Sequence, residues 1–134
     1  MRRLLRGLER LRRSRGEQFR RLAAELSRRY PGYTIVLFGS RARGGAGPLS
    51  DYDIAVVAPQ PDCLDKPGLA SRILSVRSVL GLWGLELDVV VLCPDELGDP
   101  IVRGMLEGCL VIHDGLGVAG RLPCRGWLRL EDSG

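Results

Sequence analysis

Leu4, Leu8, Leu11, Phe19, Leu22, Leu26 and Tyr30 recur at helical spacing, with Arg15 as the one gap, and predict an amphipathic helix over residues 3–29 with a place for a kink at Gly16. Pro31-Gly32 ends it. The β-branched and aromatic run from Tyr33 to Phe38 predicts a buried strand, closed by Gly39-Ser40. Gly44, Gly45, Gly47 and Pro48 mark a short turn or helical piece ending in a loop, and a second strand runs from about Ser50 to Ala58. After a loop from Pro59 to Pro67, the spacing of Leu69, Ile73, Val76, Leu80 and Trp83 gives the core stripe of a helix that Gly84 can cap. A third strand spans Leu85–Leu92. Asp99-Pro100 then starts a short helix that Gly108 stops, and residues 109–112 form a fourth strand. This order predicts an α/β (α+β) domain, a mixed four- to five-stranded sheet packed with helices, over residues 1–114. The glycine-rich residues 115–134 read as a tail or an edge hairpin.

The 134 residues suit one domain, and 45% hydrophobic with 27% charged residues is ordinary globular composition. No apolar run is long enough for a membrane span. Glu9, Glu17 and Glu25 interrupt the arginine-rich start and no apolar signal core follows, so a cytoplasmic location is expected. Charge is divided unevenly. Residues 1–29 carry a balance of +8 and residues 30–134 a balance of −4, a basic arm on an acidic body. A solvated helix face, an acidic partner and nucleic acid are the three readings of that arm. Cys63, Cys93, Cys109 and Cys124 show no CxxC or Cys/His spacing, which argues against zinc and reads as core or surface thiols. The chain lacks Asn and has only Gln18 and Gln60 as side-chain amides, a bias that either a hot environment or a GC-rich genome produces. The first of these leaves a disulfide open.

Candidate chemistry lies in three places. Asp51 and Asp53 stand two apart in a strand, so both carboxylates leave the same face while Tyr52, Ile54, Val56 and Ala58 take the other. Asp88 falls mid-strand in LELDVVVL, where an unpaired buried carboxylate costs several kcal/mol and calls for a partner. Neighbouring strands would place it beside the first two. Such hard oxygen donors suit Mg²⁺ or Mn²⁺, and two-metal sites drive in-line phosphoryl displacement. Glu86 reads as an exposed strand-start residue. Gly39-Ser40, just after a buried strand, can offer backbone N–H groups and a hydroxyl to a phosphate, with Arg41 and Arg43 beside them as further donors. His113 reads as structural, Trp83 as core, and Trp127 as a tail residue that could anchor a partner.

Taken together, the run FGSRARGGAGPLSDYDIAV resembles the signature of the minimal nucleotidyltransferases of the DNA polymerase β superfamily. Asp88 in LELDVVVL resembles that family's third carboxylate strand, and PIVRGMLEGCLVIHDG its closing helix and strand. The likeness covers roughly residues 20–114. It implies that Gly39 and Ser40 hold a nucleoside triphosphate, with Arg41 and Arg43 touching phosphates. It further implies that Asp51 and Asp53 bridge two Mg²⁺ ions, and that Asp88 binds the catalytic ion and helps activate the acceptor hydroxyl.

Nucleotidyltransferases that modify drugs or tRNA usually carry a further domain for the acceptor, and little chain follows the fold, so the acceptor is expected from elsewhere. The resemblance points to HEPN/MNT toxin–antitoxin pairs. In these the enzyme transfers AMP from ATP to a tyrosine of the HEPN ribonuclease, as a hetero-oligomeric partner. The alternatives are a catalytic subunit modifying a small molecule or RNA, and a non-catalytic antitoxin acting by contact through its basic helix.

Overall fold

The computed structural model describes residues 2–45, 47 and 51–130. Its centre is β1 (Thr34–Phe38), five consecutive buried residues, which is what a β-branched run flanked by strands on both sides becomes. β1 pairs antiparallel with β2 (Tyr52–Val57) on one side and with β4 (Cys109–Asp114) on the other. Outside these, β3 (Leu87–Leu92) runs parallel to β2 and β5 (Cys124–Trp127) parallel to β4. The result is a five-stranded mixed sheet in the order β3-β2-β1-β4-β5. The expected start of β2 at Ser50 lies outside the described residues.

Side-chain alternation sends apolar groups to both faces. Ile35, Leu37, Ile54 and Val56 meet Phe19, Leu22 and Leu26 of α1 (Arg2–Arg29) and Leu69, Ile73 and Val76 of α3 (Lys66–Val79). Val36, Ala55 and Val57 meet Leu106 of α4 (Pro100–Leu106) together with Leu97, Val118 and Leu122. Helical α1 continues through Gly16. Among its described side chains, Phe19, Leu22, Ala23 and Leu26 of the C-terminal half are in the core, whereas Leu4 is exposed. The side chains of Leu8 and Leu11 lie outside the described residues. Asp99 caps α4 by accepting a hydrogen bond from the Ile101 N–H at 2.8 Å, as its place before Pro100 predicts.

Three expectations are corrected. Trp83 is not core but 70% exposed, because α3 ends at Val79 and Gly81, at φ 72°, turns the chain before the helical stripe reaches it. Leu82 and Leu85 are buried in its place. Among the described residues, 115–130 form neither a free tail nor a hairpin but carry a fifth strand. Parallel strands need a crossover, and a 3₁₀ turn over Ala119–Arg121 lies on the path that brings β5 alongside β4. Finally, the cysteines are not thiols: Cys63 bonds Cys93 and Cys109 bonds Cys124. Cys63 and Cys93 follow the ends of the parallel neighbours β2 and β3, and Cys109 and Cys124 are partners in the β4–β5 ladder, so sheet order pairs what sequence spacing hid.

Asp114 anchors the crossover. Its carboxylate accepts from Thr34 Oγ1 at 2.8 Å and from the Val118 and Ala119 N–H groups at 2.9 and 3.2 Å. Burial alone would raise its pKa, but these hydrogen bonds outweigh it and hold the carboxyl below its ordinary value. Asp114→Ala is expected to cost about 1–2 kcal/mol, at the lower end of charged hydrogen-bond values because the group is half-exposed. A depressed folded pKa gives stability that is present above the usual carboxylate range and lost as pH falls through the folded value. Urea midpoints of wild type and Asp114→Asn should therefore differ at pH 7 and converge toward pH 2–3.

Candidate active site

The parallel register of β2 and β3 sets Asp53 directly opposite Asp88. Asp53 is pushed above the ordinary carboxylate range by burial first, then by the facing Asp88 carboxylate and by the charge of Asp51. Asp51 is exposed, one residue before β2, and reaches the pair through its charge. Asp88 is exposed too, at the second position of β3, which corrects the expectation of a buried mid-strand carboxylate. Its partner is imposed by register, not by desolvation. Glu86 is exposed, as expected.

On the other side of β2, Phe38 at the end of β1 is the register partner of Asp53, so the next residue, Gly39, lies against the carboxylate. A Cβ on Gly39 would stand 2.5 Å from Asp53 Oδ2, and its φ is 76°, so both space and backbone conformation call for glycine. Gly39 is the N-cap of a single helical turn, α2 (Ser40–Arg43), and its carbonyl accepts from the Ala42 and Arg43 N–H groups. Gly39, Ser40, Asp53 and Asp88 thus gather at one end of the sheet.

The two arginines diverge from this centre. Arg41 stacks its guanidinium 4.2 Å from the centroid of the Tyr52 ring, which itself stacks on Phe19. Tyr52 and Asp53 leave opposite faces of β2, so Arg41 lies across the sheet from the carboxylates and lines a cavity of about 190 Å³ with Phe19, Arg20 and Tyr52. The exposed Arg43 runs its alkyl stem past Gly108. His113 donates from Nε2 to the Pro31 carbonyl at 2.9 Å, a tie between β4 and the turn after α1. Trp127 is 60% exposed on β5. One residue escaped sequence reading: Arg125 of β5 donates from Nε and Nη2 to the Ala42 carbonyl of α2 at 3.0 and 2.5 Å. An isolated arginine in a glycine-rich segment carries no signal of such a contact.

Among the described residues no three His, Cys, Asp or Glu side chains converge on one metal position. The assembled part is the Asp53–Asp88 pair, and no ion pair to a Lys, Arg or His among the described residues neutralises it. Two oxygen donors that repel each other, with a third nearby, fit a hard divalent cation by charge and chemistry.

A family model, the nucleotidyltransferase domain, matches residues 19–107, which include β1, Gly39-Ser40, β2 and Asp88. The chain belongs to that family. Of solved structures, a candidate nucleotidyltransferase from Sulfolobus solfataricus is similar at 22% identity, covering 66% of this chain and 76% of that one with a TM-score of 0.47. No curated protein matches. As a nucleotidyltransferase domain, the chain carries its matched region from the second half of α1 through α4, with the first half of α1, β4 and β5 lying beyond it.

The raised pKa of Asp53 has a definite consequence for stability. In the metal-free protein the folded state keeps the Asp53 proton to higher pH than the unfolded chain, so folding loses free energy as pH rises from the ordinary carboxylate range through the folded value. Asp53→Asn removes this penalty. In chelator-treated buffer its melting temperature should exceed that of wild type at pH 7, with the gain vanishing below about pH 4, where both chains are neutral at this position.

Proposed function

We propose that this nucleotidyltransferase transfers AMP from ATP to a hydroxyl acceptor, with Mg²⁺ as the resident cation and Mn²⁺ as a substitute, and that the acceptor is a tyrosine of a HEPN-type partner. The observation that carries the reading is the register pairing of Asp53 with Asp88 against the obligatory glycine at position 39. Gly39 and Ser40 present backbone N–H groups and a hydroxyl to the triphosphate. Asp51, Asp53 and Asp88 would be the oxygen donors that hold the cations. Bound divalent cations supply charge neutralisation of the triphosphate and of the oxygens that gain charge in the displacement. Asp88, exposed at the rim of the pair, is placed to receive the acceptor proton. The acceptor oxygen then bonds the α-phosphorus as the bond to the β-phosphate oxygen breaks, and pyrophosphate leaves. Arg43 is available to phosphate. Arg41, stacked on Tyr52, supports the wall behind the site.

The openness of the carboxylate end supports a macromolecular acceptor, since Asp51 and Asp88 are both exposed. The basic arm supports an acidic one: Arg3, Arg6, Arg10 and Arg13 are exposed on the half of α1 that packs none of its described residues into the core.

Incubating the protein with α-labelled ATP and the product of the neighbouring reading frame should transfer label only with Mg²⁺ or Mn²⁺ present. Asp53→Asn should slow transfer on the order of 10³-fold, as removal of a bridging ligand implies. Wild-type turnover in this variant, or label transfer that chelator leaves unchanged, contradicts the assignment.

Reversing Arg6, Arg10 and Arg13 to Glu should slow association with the partner by about tenfold at low salt and leave MgATP affinity unchanged. Binding of wild-type protein to RNA with a log-linear salt dependence, abolished by the same reversal, would instead assign the arm to nucleic acid.

A further inference from the structure

Family likeness stops at residue 107, yet a side chain beyond it reaches the candidate site. We propose that Arg125 is a positioning residue for the nucleotide cradle, aimed by an irregularity in β5 that the Cys109–Cys124 disulfide holds in place. This rests on the reading of Gly39 and Ser40 as that cradle. α2 is one turn of four residues, too short to satisfy its own carbonyls. Its start is fixed by the Gly39 backbone against Asp53, and Gly44, left-handed at φ 84°, closes its end with the N–H directed to the Ser40 carbonyl. The carbonyl of the buried Ala42 goes to Arg125, which meets it with two charged donors. Each described backbone hydrogen bond of the turn thus involves either a glycine or this guanidinium, with Ala42 packed in the core and Arg41 stacked on Tyr52.

The ladder between β4 and β5 explains how Arg125 gets there. Cys109 pairs with Cys124 and the next residue, Leu110, pairs with Gly126, so Arg125 is the extra residue at the register shift. A bulge of this kind leaves one residue unpaired and re-aims its side chain. Three register pairs hold β5 to β4. The covalent bond at Cys124, immediately before Arg125, fixes the first of them. Losing it would free the strand that carries the guanidinium.

Calorimetric titration of the full chain with MgATP tests this with four variants: Gly39→Ala, Arg125→Ala, Arg125→Lys, and Cys109→Ser combined with Cys124→Ser. Arg125→Ala should weaken MgATP about tenfold, the loss expected from a charged hydrogen bond that positions the cradle, while Arg125→Lys, which keeps one charged donor, stays within about threefold of wild type. Amide hydrogen exchange over residues 40–45 should rise in Arg125→Ala and fall back in Arg125→Lys. The double serine variant should reproduce Arg125→Ala, and adding Arg125→Ala to it should weaken MgATP no further. MgATP affinity that is unchanged in Arg125→Ala but lost in Gly39→Ala overturns the role of Arg125 and leaves the cradle intact. Full affinity in Gly39→Ala overturns the cradle reading, and this inference with it. Lys and Ala variants that are equally weak and equally destabilised make Arg125 a fold residue and overturn the proposal. A double serine variant that folds and binds as wild type overturns the part given to the disulfide.

Discussion

Two carboxylates placed side by side by parallel strand register are the constraint on which the rest of this site depends. Two unit charges about 4 Å apart repel by about 1 kcal/mol in water and about 4 kcal/mol near a protein surface, so juxtaposed carboxylates favour a proton or a cation between them. Burial, and after it the charge of Asp88, hold the Asp53 carboxyl above the ordinary carboxylate range. The sheet holds the two together against that repulsion. β2 is buried on both faces from Ile54 onward and cannot slip by one residue without exchanging its core face for the other.

The same strand explains the glycine. β1 delivers the chain to the level of Asp53 and then has to turn away, and any Cβ at that turn collides with the carboxylate. The Gly39 backbone and the Asp53 carboxylate are therefore one packing unit. A change at either is felt at the other, and α2, which follows Gly39, is held from a strand at the opposite edge of the sheet.

Much of this was legible in the chain itself. The run from Tyr33 to Phe38 reads as a buried strand and is one, and the Asp51-Tyr52-Asp53 alternation puts Tyr52 in the core with Asp53 on the other face. Strand adjacency was the missing term. Once β2 and β3 are neighbours, Asp88 finds Asp53 although it is exposed, and the argument from burial was the wrong reason for the right pairing. Cys63 and Cys93 are 30 residues apart and Cys109 and Cys124 are 15 apart, and nothing local in their spacing shows that strand order brings them together. Trp83 continued a helical stripe in sequence, but left-handed Gly81 ended the period first. In sequence Arg41 stands beside the Gly39-Ser40 turn, which suggests a donor to phosphate. Its direction was decided instead by the Tyr52 ring, a flat apolar surface on which a guanidinium stacks.

A carboxyl-carbon NMR titration of Asp53, in metal-free buffer and again with Mg²⁺ and a non-hydrolysable ATP analogue, tests the central claim most directly. The account predicts a midpoint above the ordinary carboxylate range in the first case and a marked drop when cation and nucleotide are present. An ordinary midpoint that is the same in both conditions would contradict it.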